Sequence, residues 1–390
     1  MSGLRILFSG MVAGDPGQGG ASWSILQYVL GLRALGHEVR LVEPVDRLDP
    51  ASVRYFEQLV RRFGLEGEAA LLLRGSRETT GIPFEDVARW AAEADVLFNV
   101  SGMLRDEELV GPPSLRVFLD LDPAFNQLWH AVEGIDMGLD LHNRFVTVGL
   151  EIGEPGCRIP TCGREWIKTL PPVFLPRWER AEAIEIDAFT TIANWRGYGS
   201  IEWEGRHLGQ KAHSLRKLLA LPELTSEQLV LALNIHPGED RDLSALRDHG
   251  WGLVDPTEVA GSPRRYADFV RGSKGEIGIA KEGYFESRCG WFSDRSACYL
   301  ASGRPVVAQE TGFSRHLPVG EGLLAFTTSE EAAAMIEAIG ADYALHADAA
   351  RGLGEDLFDS RRVLTRLLDR LTSTSDDAAP DPGPATDTVA

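Results

Sequence analysis

An α/β fold in two halves is what this sequence predicts, and three observations predict it. Short apolar runs of strand length alternate with longer segments of helical periodicity. That alternation stops in a stretch rich in Pro and Gly. It then begins again and continues almost to the end of the chain.

Taken in order, Leu4 to Phe8 is a continuous apolar run, as a strand covered on both faces requires. A Gly-rich loop follows, and Ser22 to Leu35 then carries Ile25, Val29 and Leu32 at helical spacing, with Gly36 as its stop. Val39, Leu41 and Val42 form the next strand, so the opening reads as a right-handed β-α-β crossover. Val53 to Phe63 and Phe84 to Ala92 read as helices, and Val96 to Val100 and Arg116 to Leu121 as strands. Between Gly149 and Pro176, five prolines break the rhythm, which predicts a long ordered connection.

From about Asp187 the pattern restarts. Ala188 to Ile192, Leu229 to Ile235, Gly252 to Val254, Ile277 to Ala280 and Pro305 to Ala308 read as short buried strands. Pro263 to Arg271, Asp294 to Ala301 and Glu330 to Ile339 are the helices among them. Two successive halves of similar size predict two Rossmann-like domains facing a cleft, residues 1–180 and 181–371. Arg361 to Leu371 is a last amphipathic helix, free to pack back on the first half. Residues 372–390 hold four Asp, three Pro and no Lys or Arg, the composition of a disordered acidic tail.

Composition narrows the function. With 39 Lys plus Arg against 58 Asp plus Glu, the net charge is −19, a field that opposes wrapping of DNA or RNA. Small phosphorylated ligands need only a local cationic pocket and stay open. No run approaches the roughly 20 apolar residues of a membrane span. Met1 to Val12 has one Arg and runs directly into a strand, unlike a secretory signal. A cytoplasmic protein is expected. Four cysteines make no disulfide framework; Cys157 and Cys162, with four residues between them, suit either a metal clip or free thiols, and free thiols are the simpler reading.

Several segments have the residue types that chemistry needs. Gly14, Gly17, Gly19 and Gly20 precede a helix whose first N–H groups need partners, so a phosphate or sugar could approach closely there. Gly20 is followed by Ala21 rather than Lys, and Ser9 to Ala13 separate the loop from its strand. Neither a P-loop nor a dinucleotide fingerprint therefore fits. Asp120 and Asp122 end a parallel strand, where ligands of open α/β sheets sit. They suit proton acceptance, sugar hydroxyls or a metal, but a solvated strand end would read alike. Ser293, Asp294 and Arg295 open a helix that Gly303 stops: Ser293 as N-cap, Asp294 as complement to the helix end, Arg295 as a cation for a diphosphate. An ordinary capped helix would look similar. His236 and His130 sit near possible cleft loops, and Trp129, Trp166, Trp195, Trp203 and Trp291 near these segments. Packing and structural hydrogen bonding are the default for each.

The block Gly303-Arg304-Pro305-Val306-Val307, together with Gly19-Gly20 and Leu32-x-x-x-Gly36-His37-x-Val39, resembles the GT-B-fold nucleotide-sugar glycosyltransferases. The layout matches over roughly residues 3 to 340, the residues only in these blocks. The resemblance implies that the second half binds a nucleotide sugar and the first an acceptor. It makes Arg196 and Lys211 candidates for the donor diphosphate and puts Lys281 and Tyr284 near the nucleotide. It also puts Thr311 and Gly312, with Gly19 and Gly20, near the sugar or acceptor. One departure stands out. The E-x7-E motif of the retaining group falls here on Gly290 and Cys298, while Glu286 and Asp294 keep the spacing four residues earlier. The expectation is a metal-independent glycosyltransferase without a cofactor, with Asp120 or Asp122 orienting a hydroxyl or acting as base. The alternatives are a sugar-nucleotide epimerase of the same fold, a non-catalytic nucleotide-sugar or carbohydrate-binding protein, and a metal-dependent transferase built on Asp120 and Asp122. A dinucleotide oxidoreductase is the weakest.

Overall fold

The computed structural model describes residues 3–373; all but the first two residues of the expected acidic tail lie outside the described residues. The first half is an eight-stranded sheet: β1 (Arg5–Ser9), β2 (Glu38–Val45), β3 (Ala69–Leu73), β4 (Thr79–Gly81), β5 (Val96–Val100), β6 (Leu115–Asp120), β7 (Arg144–Thr147) and β8 (Trp166–Lys168). Their order is β4-β3-β2-β1-β5-β6-β7-β8. Every pairing is parallel except β3 with β4. Ile6 lies opposite both Val39 and Val96. Ile6, Leu7 and Phe8 are wholly buried, because helices cover both faces. The Pro-rich connection is ordered, as expected, and contributes the edge strand β8.

The second half starts with β9 (Ile186–Asn194) and a small hairpin, β10 (Ile201–Trp203) with β11 (Arg206–Leu208). Then come β12 (Leu229–Asn234), β13 (Gly252–Val254), β14 (Ser273–Gly278), β15 (Val306–Gln309) and β16 (Leu323–Phe326). This all-parallel sheet runs β13-β12-β9-β14-β15-β16. The chain therefore reverses direction across the sheet between β9 and β14, where α/β sheets open a ligand crevice. The strand expected over Ile277 to Ala280 is displaced, since β14 begins at Ser273 and includes Lys274 and Glu276. Polar residues hid its start, and Glu276 is fully buried.

The halves meet through helices. Gly19–Ala34 of the first packs on Pro263–Gly272 of the second, and Trp23 Nε1 donates to the Pro263 carbonyl at 2.7 Å. The last helix, Ser360–Thr372, returns to the first half. Gly31 makes room for it: a Cβ there would lie 2.6 Å from Leu364 Cδ1. Leu364, Leu367 and Leu371 are buried in that contact, each removing apolar surface worth about 1.5–3 kcal/mol. Beside this helix the outgoing and returning chain are hydrogen-bonded, Val173 N to the Phe358 carbonyl at 2.7 Å and Ser360 N to the Val173 carbonyl at 2.8 Å.

Candidate functional site

Three cations gather at the reversal point of the second sheet. Arg295, on the helix Asp294–Ala301, donates through Nη1 to the carbonyl of Ile192 on β9 at 2.8 Å. Its Nε donates to Glu276 of β14 at 2.5 Å. Burial opposes the guanidinium charge, yet Glu276 outweighs it and raises its pKa. Arg295 Nη2 and Glu276 Oε2 have no partner and are buried. Lys211, first residue of the helix Lys211–Lys217, donates to the Ile279 carbonyl just past β14 at 2.6 Å. Burial and then repulsion from Arg295 push its ammonium well below the ordinary lysine range, with Lys281 adding to the repulsion and Glu276 opposing it. A buried amine depressed first by desolvation and then by neighbouring cations would be relieved by an anionic ligand.

Lys281 binds across the cleft. Its Nζ donates to both oxygens of Asp122, at 3.0 and 2.9 Å, and lies 4.4 Å from the Tyr198 ring centre. Tyr198 donates to Asp122 at 2.6 Å, and Tyr284 donates to the same carboxylate. Burial, and then the Asp122 charge, hold both phenols well above their ordinary pKa, so both remain donors. Asp122 follows β6 of the first half, so this cluster ties the halves together. Phe125, Trp129 and Trp291 pack around it, and the two indoles are half-buried.

Asp120 takes a different place from its neighbour. It is fully buried and accepts from Asn126 at 2.6 Å and from Gln127 and Thr147 at 2.7 Å each. Burial pushes its carboxyl up to about 6 against those three donors. It braces the end of β6, and this corrects its assignment to substrate or a metal.

The Gly-rich loop is also corrected. Its N–H groups already hold an anion, the Glu43 carboxylate from β2, with Val12, Ala13 and Gly14 donating at 3.0, 2.7 and 2.8 Å. A Cβ on Gly19 would lie 2.3 Å from the Ser262 carbonyl oxygen, and one on Gly20 would lie 2.9 Å from the Tyr266 ring. These glycines admit the second half rather than a sugar. Gly17 alone has open space around it.

Other candidates scatter. Arg196 is exposed and donates to Glu239 at 2.9 Å, outside the cationic group. Ser293 caps the Arg295 amide at 3.2 Å, and burial raises the Asp294 pKa. Thr311 is fully buried, and the Gly312 amide is taken by Glu310. Cys298, in the place of the expected Glu, lies under the first half and accepts from Gln27 at 3.4 Å. Glu286 reaches Lys217 at 3.4 Å. His236 is exposed and accepts only the Gly238 amide. All four cysteines are free.

Glu151 was not legible from its neighbours in the chain. This first-half residue is 4% exposed and reaches the second half, accepting from Arg315 at 2.9 Å and pairing with His316 at 2.5 Å. Gly149 bridges Trp291 beside it. With the Asp122 cluster, these ties close the cleft. The crevice at the tip of the Asp294–Ala301 helix, bounded by Gly278, Trp291, Ser293, Arg295, Ser296 and Gln309, has a cavity volume of only about 10 Å³, room for about one water. That is below the roughly 300 Å³ at which ligand pockets begin.

No protein-family model and no curated protein sequence matches the chain. Solved structures do. An α-glucosyltransferase in complex with UDP-glucose and DNA containing an abasic site aligns over 95% of this chain and 100% of its own, at 12% identity and a TM-score of 0.60. AviGT4, a glycosyltransferase involved in avilamycin A biosynthesis, aligns over 94% and 97%, at 16% identity and 0.55. HepE of Anabaena, in complex with UDP and glucose, aligns over 95% and 100%, at 12% identity and 0.53. The chain has the GT-B fold.

Proposed function

We propose that the protein transfers a glycosyl group from a nucleotide-sugar donor to an acceptor hydroxyl, without a metal. One observation carries this reading: Lys211, Arg295 and Lys281 converge where β9 and β14 part, and burial first, then repulsion from the other two, depresses Lys211. A diphosphate supplies the missing charge, and stabilising it as it departs is the main task of such an enzyme. Similar structures that hold UDP or UDP-glucose support a uridine donor as the first to test.

The crevice as it stands is too small for that donor, so binding requires the halves to separate. On entry, Lys281 exchanges Asp122 for the diphosphate. Asp122 is then left to orient an acceptor hydroxyl or accept its proton. Reclosure excludes water and aligns the two substrates. The acidic field argues against wrapping nucleic acid, but the α-glucosyltransferase complex holds DNA, so the acceptor screen includes oligonucleotides beside sugars and small alcohols.

Calorimetric titration with UDP, GDP, ADP and TDP tests the site. One of them binds, and Lys211→Met weakens it about tenfold or more, the worth of a charged hydrogen bond. No binding at millimolar concentration sinks the proposal. Turnover then separates the alternatives: an epimer formed without acceptor indicates an epimerase, and binding without release of nucleoside diphosphate across the screen indicates a non-catalytic binder. Turnover that stops in chelator while the fold and nucleotide binding are retained would overturn the metal-independent route.

A further inference from the structure

Three side chains from three elements converge beside the small hairpin. His207 lies on β11, His213 on the helix Lys211–Lys217 and Glu282 on the helix Glu282–Ser287. One ligand atom from each lies within 4.8 Å of the others. We propose that they bind a divalent transition-metal ion of the zinc class, which staples the hairpin to the two helices.

The donor set suits such an ion, because two imidazoles and one carboxylate match the borderline preference of zinc, cobalt and nickel. Glu282 supplies the directing observation. It is 7% exposed; its Oε1 pairs with Lys217 at 2.7 Å, while its buried Oε2 has no partner. An orphaned buried carboxylate oxygen is costly, and a cation relieves it.

Second, the backbone keeps two of the ligands together. A Cβ on Gly209 would lie 2.4 Å from Glu282 Oε2 and 2.6 Å from His213 Nδ1, so only glycine there lets these two ligand atoms come so near each other. Third, His207 is already oriented. Its Nδ1 faces Glu202 at 2.6 Å, which fixes the proton there and leaves Nε2 with its lone pair. A carboxylate behind a histidine is the usual outer support of a ligating imidazole.

Two features limit affinity. His213 Nδ1 now accepts the Gln210 amide at 3.0 Å, so coordination replaces that bond and leaves the amide to solvent. The Lys217 ammonium also stands near the site. Tetrahedral binding at about 2.0–2.1 Å sets ligand atoms roughly 3.3 Å apart, so the side chains close inward by about 1 Å. His207 is exposed, and water completes the coordination. The ion is a brace and takes no part in the proposed transfer.

The test is metal binding by the full chain, first stripped with chelator and then titrated with Zn²⁺ and Co²⁺. One equivalent binds, Co²⁺ develops visible bands of four- or five-coordinate geometry, and thermal unfolding shifts upward. His207→Ala, at an exposed position that leaves folding intact, abolishes the bands and the shift. Glu202→Gln keeps the ligands and weakens binding about tenfold. His236→Ala, a distant exposed histidine, changes nothing. No saturable binding, or binding undiminished in both His207→Ala and Glu282→Gln, overturns the proposal. Neither result bears on nucleotide binding, which is measured separately.

Discussion

Replacing Glu43 is the sharpest test of how the first half is held. Its carboxylate is 1% exposed, and it satisfies three successive amides. Glu43→Ala orphans Val12 and Ala13, both buried, and Gly14, which is half-buried and can turn to water. At about 1–3 kcal/mol for each buried orphan, the loop loses about 2–6 kcal/mol of local stability. Glu43→Gln keeps one oxygen, which serves Val12 and Ala13, but turns an NH2 toward the Gly14 amide. Its cost is about 1–3 kcal/mol. Amide exchange followed by mass spectrometry on the segment around Met11 to Gly14 reads these losses directly. The Ala variant exchanges at least about thirtyfold faster than wild type, with Gln between. Because the emptied nest is an anion site, added sulfate restores part of the protection in the Ala variant only. Unchanged exchange in Glu43→Ala would mean that something other than this carboxylate holds the loop.

Asp122→Asn removes the charge that Lys281 answers across the cleft, at a cost of about 1–2 kcal/mol after discounting for its partial exposure. The halves then separate more often, read as a larger radius of gyration in solution scattering; an unchanged radius counts against the latch. Asp120 predicts a pH dependence. Its folded pKa of about 6 lies above its ordinary 3.8, so the folded state holds the extra proton and stability falls as pH rises from about 4 to about 6. The size is on the order of 3 kcal/mol. Asp120→Asn should flatten that share of the profile in urea melts taken at successive pH values. Gly19→Ala forces a methyl against the Ser262 carbonyl and should lower the melting temperature by several degrees, corresponding to about 1–3 kcal/mol.

Legibility followed locality. Asp294–Ala301 and Val96–Val100 were readable to the residue because cap, period and stop all lie within them. The hairpin β10–β11 escaped because its three-residue strands are half exposed and have little apolar signal. β3 (AALLL), whose Ala and Leu suit a helix as well, and β7 (RFVT), only four residues long, passed unread. In the site, Lys211 and Lys281 were candidates only through the family resemblance. Arg196 misled because its partner Glu239 lies 43 residues away. Glu43 and Glu151 gave no local sign, since a buried carboxylate is recognised only by donors that the fold brings to it. The Gly-Gly pair was visible, but its partner was protein.

The side-by-side pinning of Val173 and Ser360 has a mechanical consequence. Two passages of backbone, laced together by amide bonds at one point, fix a pivot line between the lobes. Swinging about that line leaves both bonds intact, whereas sliding or screwing one lobe past the other would tear them. Whatever enters this molecule is thus admitted by a door hung on paired pins.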